Sequence, residues 1–397
     1  MQTFDWIVVG NGLTGAALSY ELSRQGLSVL LLDRSDSPAS ATRFSYGGIP
    51  YWSGTTDVTR QLCREGRTRH LALPAETGVD TEFRELDLLL TVPAGEDPAT
   101  MAQTYSTTES PPQPISVDEA IALEPQLNPQ AMAGALTVRH GHVNPMALVK
   151  AYNQGFQALG GHRIIAPVTG LVRIGEKVTG VTTLTQAYAA GQVAIAAGGF
   201  TRTLVQTIGL TVPVYFTHAE ILETPPQSPH LRTLIMPAAL TRSGLEAQTS
   251  ETTIDDQWEQ SDQALAPPVL DLGCIQFRNG IIRIGQISRI HTALQPPLDE
   301  ATSTAQLRQG ISHLVPALGA VPGQWRTCPV AFSRDGLPLA GSVPGLRGLS
   351  LFSGFSSPFA LVPGLATHFA EWAVGQSDQA GPSDLMAAVS PGRFERP

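Results

Sequence analysis

The sequence predicts an α/β fold of two intertwined domains, and three observations support this prediction. The length of 397 residues is too great for one ordinary domain. The chain begins with a buried-strand pattern, a G-x-G-x-x-G motif and a helix pattern. A second region, from Pro213 onwards, is rich in strand patterns. We therefore expect a Rossmann-like domain that binds a dinucleotide, joined to an α+β domain.

Composition and charge indicate a packed globular protein and argue against several kinds of partner. Apolar residues make up 42% of the chain and charged residues 15%. The formal net charge is −9 and basic clusters are lacking, so nucleic acid and anionic membrane surfaces are poor candidate partners. No run of about 18 apolar residues occurs, so we expect no membrane span.

The N-terminus and the cysteines predict a cytoplasmic protein without a metal site. Met1 is followed almost directly by a strand pattern, with no signal-peptide pattern. Cys63, Cys274 and Cys328 are widely spaced, which disfavours a disulfide framework and a structural zinc site. His140 and His142 alternate along the chain, but with no third ligand in sight a pair at a strand end is favoured over a metal centre.

The glycine motif has the context that a dinucleotide-binding fingerprint requires. It follows a strand and opens a helix, and an acidic residue lies about 20 residues downstream. Gly10 would form the tight turn, Gly12 would admit the pyrophosphate, and Gly15 would let helix and strand pack closely. Asp33 would accept hydrogen bonds from a ribose and disfavours NADP despite the neighbouring Arg34. The fingerprint alone leaves NAD and FAD open; its other candidate contacts are Leu13 and Thr14.

Two further segments could complete the cofactor site. The stretch ASATRFSYGGIPYWSG (39–54) carries Thr42, Arg43, Gly47 and Gly48, although an ordinary turn-rich loop is the alternative. A buried strand at 193–197 ends in a second small-residue turn, which includes the candidates Ala197 and Gly198. We also count Val168 among the candidate cofactor contacts.

The order of these segments resembles the D-amino acid oxidase-like family of FAD-dependent oxidoreductases, which includes glycine oxidase and monomeric sarcosine oxidase. The resemblance covers nearly the whole chain. Its motifs are the fingerprint ending in Asp33, GHVNP (141–145), VAIAAGGF (193–200), RDGLPLAG (334–341), SGFSSPFALVPG (353–364) and SPGRF (390–394).

The resemblance implies a discontinuous FAD-binding domain and a substrate domain whose antiparallel sheet covers the flavin. On that pattern, residues 1–85, 138–211 and 324–397 would form the FAD-binding domain, and residues 86–137 and 212–323 the substrate domain. The implied activity is oxidation of a C–N bond in an amine or amino-acid-like substrate by hydride transfer to FAD. The flavin would be reoxidised by oxygen or another acceptor. The alternatives are dehydrogenation of another substrate, such as a 2-hydroxy acid, and flavin binding with little turnover.

The same resemblance implies further cofactor residues and leaves one question open. The glycine-rich loop near the flavin pyrimidine would supply Gly354, Phe355, Ser356 and Ser357. Cys328 lies at an offset from Asp335 similar to that of a cysteine which is covalently bonded to the flavin in the sarcosine oxidase branch. Cys328 is therefore either bonded to FAD or a buried cysteine that acts as a small hydrophobe.

The substrate anchors of the family are missing here. Val330 stands where glycine oxidase-like members place a carboxylate-binding arginine, and the last glycine-rich loop carries no charge. Arg283 and Arg43 are candidate replacement cations; Arg283 could also stabilise negative charge on the reduced flavin, and an exposed strand arginine is its alternative. Tyr46 and His218 could line the pocket and complete our candidate catalytic set with Arg283, although packing is the alternative for each.

Overall fold

Two β-sheets organise the chain in the computed structural model, which describes residues 3–228, 230–375 and 383–394. The strands are, in chain order, β1 (Phe4–Val9), β2 (Val29–Asp33), β3 (Gly48–Ile49), β4 (Arg84–Pro93), β5 (Gln113–Ile115), β6 (Met132–His142), β7 (His162–Ile165), β8 (Val168–Ile174), β9 (Lys177–Thr183), β10 (Ala187–Ile195), β11 (Val214–Glu223), β12 (Leu234–Pro237), β13 (Val269–Gln276), β14 (Ile282–Ile290), β15 (Gln324–Ser333), β16 (Leu339–Ser342) and β17 (Leu349–Ser353).

Helices connect and cover the strands. The α-helices are α1 (Leu13–Arg24), α2 (Ala41–Phe44), α3 (Asp57–Thr77), α4 (Pro98–Gln103), α5 (Val117–Leu123), α6 (Pro145–Ala158), α7 (Thr201–Gln206), α8 (Thr241–Gln248), α9 (Glu300–Leu314), α10 (Pro358–Gly375) and α11 (Asp384–Ala388). Short 3₁₀ helices span Pro129–Ala131, Gly198–Phe200, Thr252–Glu259, Pro316–Leu318 and Pro391–Phe394. Within these described residues, no helix combines the length and apolar character needed to cross a membrane.

The smaller sheet has a parallel core, as the opening strand–turn–helix pattern predicts. Its path is β16-β17-β10-β1-β2-β7, and β1 pairs in parallel with both β2 and β10. The apolar run of β1 is buried because helices pack on one face of the sheet, and side chains around β8, β9 and α7 pack on the other. This confirms the predicted α/β class and its Rossmann-like unit.

The larger sheet is mainly antiparallel. Its path is β15-β11-β14-β13-β12-β4-β6-β3, and the β12–β4 pair is parallel. Leu222 and Ile284 on one face pack against Leu307 and Ile311 of α9. Successive side chains of a strand alternate between faces, so Glu223, next to Leu222, points to the opposite face. That opposite face is the one that meets α2.

The division into domain segments stays a prediction, but the membership of several strands in the two sheets does not follow it. Strand β15, which the predicted division places in the last FAD-binding segment, pairs with β11 along its whole length in the larger sheet. Strand β6 crosses the predicted boundary at 137/138, and β3 of the first segment pairs with β6. Strand β15 forms the edge of that sheet beside β11. Residues 376–382 and 395–397 of the last predicted segment, residues 1–2 of the first and residue 229 lie outside the described residues.

Local sequence signals agree with several element bounds. Asn144 caps α6, whose first residue is Pro145, through hydrogen bonds from the backbone N–H groups of Met146 and Ala147. His140 and His142 lie at the end of β6, as the strand-end interpretation predicts. The stretch between Thr91 and Ser116 is rich in Pro, Thr, Ser and Gln, which predicts a loop or weakly structured segment, but it contains α4 and β5, which pairs with β6.

Helices α3 and α10 pack so closely that one glycine allows the contact. A Cβ atom added to Gly66 would lie 2.0 Å from the carbonyl oxygen of Ala360. We expect Gly66→Ala to lower the free energy of unfolding by about 1–3 kcal/mol, because the helices must move apart. Gly244→Ala is the matched control: Gly244 lies in exposed helix α8, where an added Cβ would have nothing within 4 Å, and the change should stabilise by about 0.5–1 kcal/mol. Urea unfolding measures both, and equal effects would contradict the packing argument.

Candidate functional site

The fingerprint turn has the geometry that its glycines predict. Gly10 has a φ of +107°, and a Cβ there would lie 2.6 Å from the carbonyl oxygen of Ala196 on the neighbouring strand. A Cβ on Gly15 would lie 1.7 Å from the carbonyl oxygen of Gly10, so only glycine lets α1 pack this close. Helix α1 has no acidic residue in its own first turn and Gly12 offers no side-chain cap, so no side chain of the helix itself neutralises its positive end.

Asp33 and Asn11 lie together at the ends of β1 and β2. Asp33 Oδ2 accepts from the Asn11 backbone N–H at 2.5 Å, and Oδ1 accepts from Ser35 N–H at 2.9 Å. The Asn11 side chain is buried, and neither its amide nitrogen nor its oxygen has a hydrogen-bond partner among the described residues. Buried amides are normally hydrogen-bonded. These orphaned groups, next to the glycine cradle, fit the polar groups of a dinucleotide.

The second small-residue turn lies beside the first. Thr14 Oγ1 donates to the carbonyl oxygen of Ala196, and Gly198 adopts a φ of +55° with nothing within 4 Å of an added Cβ. The guanidinium of Arg34 stacks 4.4 Å from the ring centroid of Phe200. Val168 follows β7, whose last residue pairs with Asp33. The structure thus brings Ala197, Gly198, Val168 and Arg34 to the same strand ends as the fingerprint.

The loop that carries α2 contacts the start of α1 through one hydroxyl group and packs against neighbouring backbone and side chains through two glycines. Thr42 Oγ1 accepts from the backbone N–H of Leu13 at 3.1 Å, so it touches the start of α1. Gly47 and Gly48 are required by packing, because added Cβ atoms would lie 2.2 Å from the Val143 carbonyl oxygen and 2.7 Å from His140 Nε2. Their predicted contact with the cofactor stays a prediction.

The last glycine-rich loop meets the Asp-Gly turn. Ser356 Oγ donates to the carbonyl oxygen of Gly336 at 3.4 Å, and a Cβ on Gly354 would lie 3.1 Å from Cβ of Ser333. Phe355 is buried, and the Ser357 carbonyl oxygen accepts the first hydrogen bonds of α10. Two motifs that are well separated in sequence therefore form one corner, at the N-terminal and positive end of α10.

An ion triad joins this loop region to the larger sheet. Arg43 donates from both terminal nitrogens to Glu223, at 2.9 and 3.1 Å. Arg283 donates from Nε to the same carboxylate at 3.0 Å and from Nη1 to the Ser45 carbonyl oxygen, and its Nη2 forms an ion pair with Glu223 at 2.9 Å. Arg283 is only 4% exposed, so the alternative of an exposed strand arginine is wrong. We call Arg43, Glu223 and Arg283 the ion triad.

The protonation states of the triad follow from burial and pairing. Burial alone would raise the pKa of Glu223, but hydrogen bonds from Arg43 and the charge of Arg283 hold it below its ordinary value. Burial lowers the pKa of Arg283, while Glu223 opposes that shift. An arginine keeps its proton at neutral pH, so the triad carries one net positive charge. Glu223 was not among the predicted residues; a glutamate ending the buried, apolar strand β11 was the available signal.

Tyr46 and His218, the other two predicted catalytic residues, both contact backbone carbonyl oxygens and not the ion triad. The Tyr46 hydroxyl lies 3.0 Å from the carbonyl oxygen of Gly273 and 2.7 Å from that of Gly285, and burial raises its pKa well above the ordinary value. Tyr46 therefore fastens its loop to the sheet as a neutral phenol. His218 Nε2 contacts the Ala293 carbonyl oxygen at 2.9 Å, and burial lowers its pKa. By strand alternation His218 and Glu223 lie on opposite faces, so the structure does not bring His218 together with Arg283.

Cys328 lies on the face of the sheet that carries the triad. It pairs with Ala219, which lies on the same face of β11 as Glu223, and it is 6% exposed. Burial raises the pKa of its thiol to about 12, although the charges of Arg242 and Arg283 oppose the shift. Cys328 is therefore a protonated thiol at neutral pH.

Replacing the carboxylate of the ion triad measures how much it contributes to the free energy of unfolding. We expect Glu223→Gln to lower the free energy of unfolding by about 3 kcal/mol at pH 7, because two guanidinium groups lose their counter-ion. The folded-state pKa of Glu223 lies below its ordinary 4.5, so its stabilisation is present above that pH and is lost as the pH falls. The difference between the two proteins should thus be full at pH 7 and shrink as the pH falls below about 4.5, which denaturant titrations at pH 7 and at about pH 3 measure.

Glu85→Gln is the matched control for this prediction. Glu85 pairs with Arg67 at 2.8 Å, but their side chains are 28% and 43% exposed. Surface pairs contribute about 0–1 kcal/mol, so this variant should unfold almost like the wild type. Equal losses in the two variants would show that burial of the triad adds nothing.

Comparison with known proteins agrees with this geometry. The protein-family model described as DAO, FAD dependent oxidoreductase, matches residues 5–372. Glycine oxidase from Geobacillus kaustophilus has a similar solved structure, with a TM-score of 0.79, 20% identity and full coverage of both chains. L-proline dehydrogenase from P.horikoshii gives a TM-score of 0.78 at 16% identity over 100% of this chain and 98% of that one.

Curated relatives are similar at low identity. The chain is 27% identical over 386 residues to 4-methylaminobutanoate oxidase (formaldehyde-forming) of Paenarthrobacter nicotinovorans, covering 93% of this chain and 43% of that protein. It is 26% identical to glycine oxidase of Pseudomonas aeruginosa, covering 96% and 98%. The chain therefore spans less than half the length of some relatives and nearly all of another. The match of the family model across most of its length shows that the chain belongs to the DAO family of FAD dependent oxidoreductases.

Proposed function

We propose that this protein oxidises a C–N bond of an amine or amino-acid-like substrate, with FAD as the cofactor. The observation that carries the proposal is the ion triad, which places a net positive charge, with Arg283 buried and Arg43 partly exposed, where the dinucleotide-binding loops meet the antiparallel sheet. When bound, FAD would accept a hydride from the substrate carbon next to nitrogen. The protein would orient the reactants and supply the electrostatic environment.

The residues present fit FAD at both ends of the proposed site. The glycine cradle, Asp33 and the orphaned amide of Asn11 would hold the dinucleotide part. The corner of Gly354 and Ser357 at the start of α10 would receive the flavin end, because free N–H groups at a helix N-terminus favour negative charge. Arg43 and Arg283 would act in the same direction, since hydride transfer increases the electron density on the flavin.

The larger sheet would exclude water from the reacting groups. Ala219 and Ile221 lie on the triad face of β11 and are 6% and 4% exposed. A Cβ on Gly285 would lie 2.7 Å from Ile221, so the neighbouring strand β14 is also packed tightly there. An apolar surface of small residues beside a positive charge is suited to a neutral amine, because burying a cation there would be costly.

The names of relatives support an amine and leave one competing substrate class. Dimethylglycine dehydrogenase of Homo sapiens is 24% identical over 388 residues, covering 92% of this chain and 42% of that protein, and joins the relatives named for amines. One chain of the anaerobic glycerol-3-phosphate dehydrogenase of Escherichia coli is 28% identical over 237 residues, covering 56% of this chain and 42% of that protein. A hydroxyl-bearing substrate is therefore the second candidate.

We further propose that the protein is cytoplasmic, since its three cysteines are free. We also propose that oxygen or another electron acceptor reoxidises the flavin.

Anaerobic flavin reduction tests the proposed reaction. We expect an N-methyl amino acid, a D-amino acid or a simple amine to bleach the absorbance of the bound flavin. Glycerol 3-phosphate and 2-hydroxy acids should leave it yellow, because the proposed donor is a carbon next to nitrogen. Bleaching by the hydroxy compounds alone would favour the second candidate, and reduction by dithionite alone would contradict both. Hydrogen peroxide release on adding air then distinguishes oxygen from another acceptor.

The state of Cys328 decides how FAD is held. Because burial keeps its thiol protonated, we propose that FAD is bound without a covalent link. Trichloroacetic acid should then give a colourless pellet and a yellow supernatant. A yellow pellet from the wild type together with a colourless one from Cys328→Ala would establish the covalent alternative.

A further inference from the structure

A second charged pair stands on the triad face of the larger sheet, on helix α8. Arg242 Nε donates to Oε1 of Glu246 at 2.7 Å, and the same oxygen accepts from Thr217 Oγ1 at 2.6 Å. Thr217 and Glu223 lie six positions apart on β11, so both point to one face. Helix α8 therefore approaches one end of this face, and the ion triad occupies the other, about 20 Å away along the strand.

The position of α8 relative to Val330 is informative. Val330 is the position at which the family resemblance predicts a carboxylate-binding arginine. In the register of β11 and β15, Val330 pairs with Thr217. Thr217 and Arg242 both donate hydrogen bonds to Glu246. The guanidinium of Arg242 therefore lies near Thr217, the residue that pairs with Val330, where the predicted arginine is absent.

Arg242 differs from the triad arginines in its unused donors. Glu223 takes both terminal nitrogens of Arg43, and all three nitrogens of Arg283 are engaged by Glu223 and Ser45. Arg242 uses Nε only; its two terminal nitrogens have no hydrogen-bond partner within the described part of the chain. Its side chain is 25% exposed, so a ligand can reach it. Two parallel N–H groups on a planar guanidinium are the geometry that binds a carboxylate.

The surface between the two charged groups is small and apolar. Ala219 and Ile221 lie between Thr217 and Glu223 on the same face, and Cys328 lies beside Ala219. The charges of both Arg242 and Arg283 act on the Cys328 thiol. Arg242 is linked through Glu246 to Thr217 at one end of these residues, and Arg283 is bonded to Glu223 at the other, so the two guanidinium groups flank one apolar region that could contact the carbon skeleton of a small molecule.

We propose that Arg242 binds the carboxylate of the substrate, with Glu246 as the residue that positions it. The protein would then select amines that also carry a carboxylate, and α8 would supply the anchor that β15 lacks. The identity of the reacting amine rests on the proposed function, whereas the anion site itself does not.

Binding of carboxylic acids that cannot be oxidised tests the site directly. The FAD-loaded protein is titrated with benzoate and acetate, and with benzamide and acetamide as uncharged counterparts, while the flavin absorbance is followed. Arg242→Gln should weaken binding of the acids at least about tenfold, the loss expected for a hydrogen-bonded charge pair, and leave the amides unchanged. Arg64→Gln, on a side chain that is 59% exposed and pairs with Glu109, is the matched control and should change neither.

Three results of these titrations would overturn the proposal. They are acid affinities in Arg242→Gln within about twofold of the wild type, equal losses for acids and amides, and a wild type that binds neither acid more tightly than its amide. A result that does not depend on a stable variant comes from the wild type: benzoate should protect Arg242, and not Arg64, from phenylglyoxal, as mapped by mass spectrometry. Lack of protection would also overturn it. If acids bind through Arg242 while no amine bleaches the flavin, the anion site stands and the proposed reaction fails.

Discussion

The pairing of the buried Arg283 and the partly exposed Arg43 with one glutamate, Glu223, is the interaction on which the rest of the site depends. Arg43 comes from the loop after the second strand of the Rossmann-like unit, while Glu223 and Arg283 lie on neighbouring strands of the larger sheet. A charge in this position must be paired, because desolvation is too costly otherwise. The triad therefore determines how α2 lies against the larger sheet, and with it which face of that sheet is turned towards the glycine cradle.

Much of the dinucleotide cradle was predictable from sequence because its determinants are local. Gly10, Gly15 and Asp33 lie within one strand–turn–helix–strand unit, where spacing and backbone requirements specify their roles. The cap of α6 was predictable for the same reason. The family resemblance added the antiparallel sheet that covers the flavin, and Arg283 as a candidate near it.

The remaining features depend on contacts between distant segments. Glu223 lies 180 positions from Arg43, and no spacing rule connects them. Arg242 lies near Val330 only through the register of β11 and β15, which pairs Val330 with Thr217, and no sequence spacing connects the two positions. Strand β15 forms the edge of the larger sheet beside β11, which its own sequence does not state. His218 lies apart from the ion triad for a different reason. Successive side chains of a strand point to opposite faces, so a residue one position away from the triad face lies on the other side of the sheet.

Thr42 and Arg43 are consecutive, and each has a different partner. The Thr42 hydroxyl contacts the first backbone N–H of α1, whereas the Arg43 guanidinium holds Glu223. Helix α2 is only four residues long, so the two contacts cannot shift independently. A displacement of Thr42 at the nucleotide end is thus transmitted through one peptide unit to the charges at the other end. Helix α2 would therefore couple the position of the nucleotide half of a bound dinucleotide to the charges near its other half.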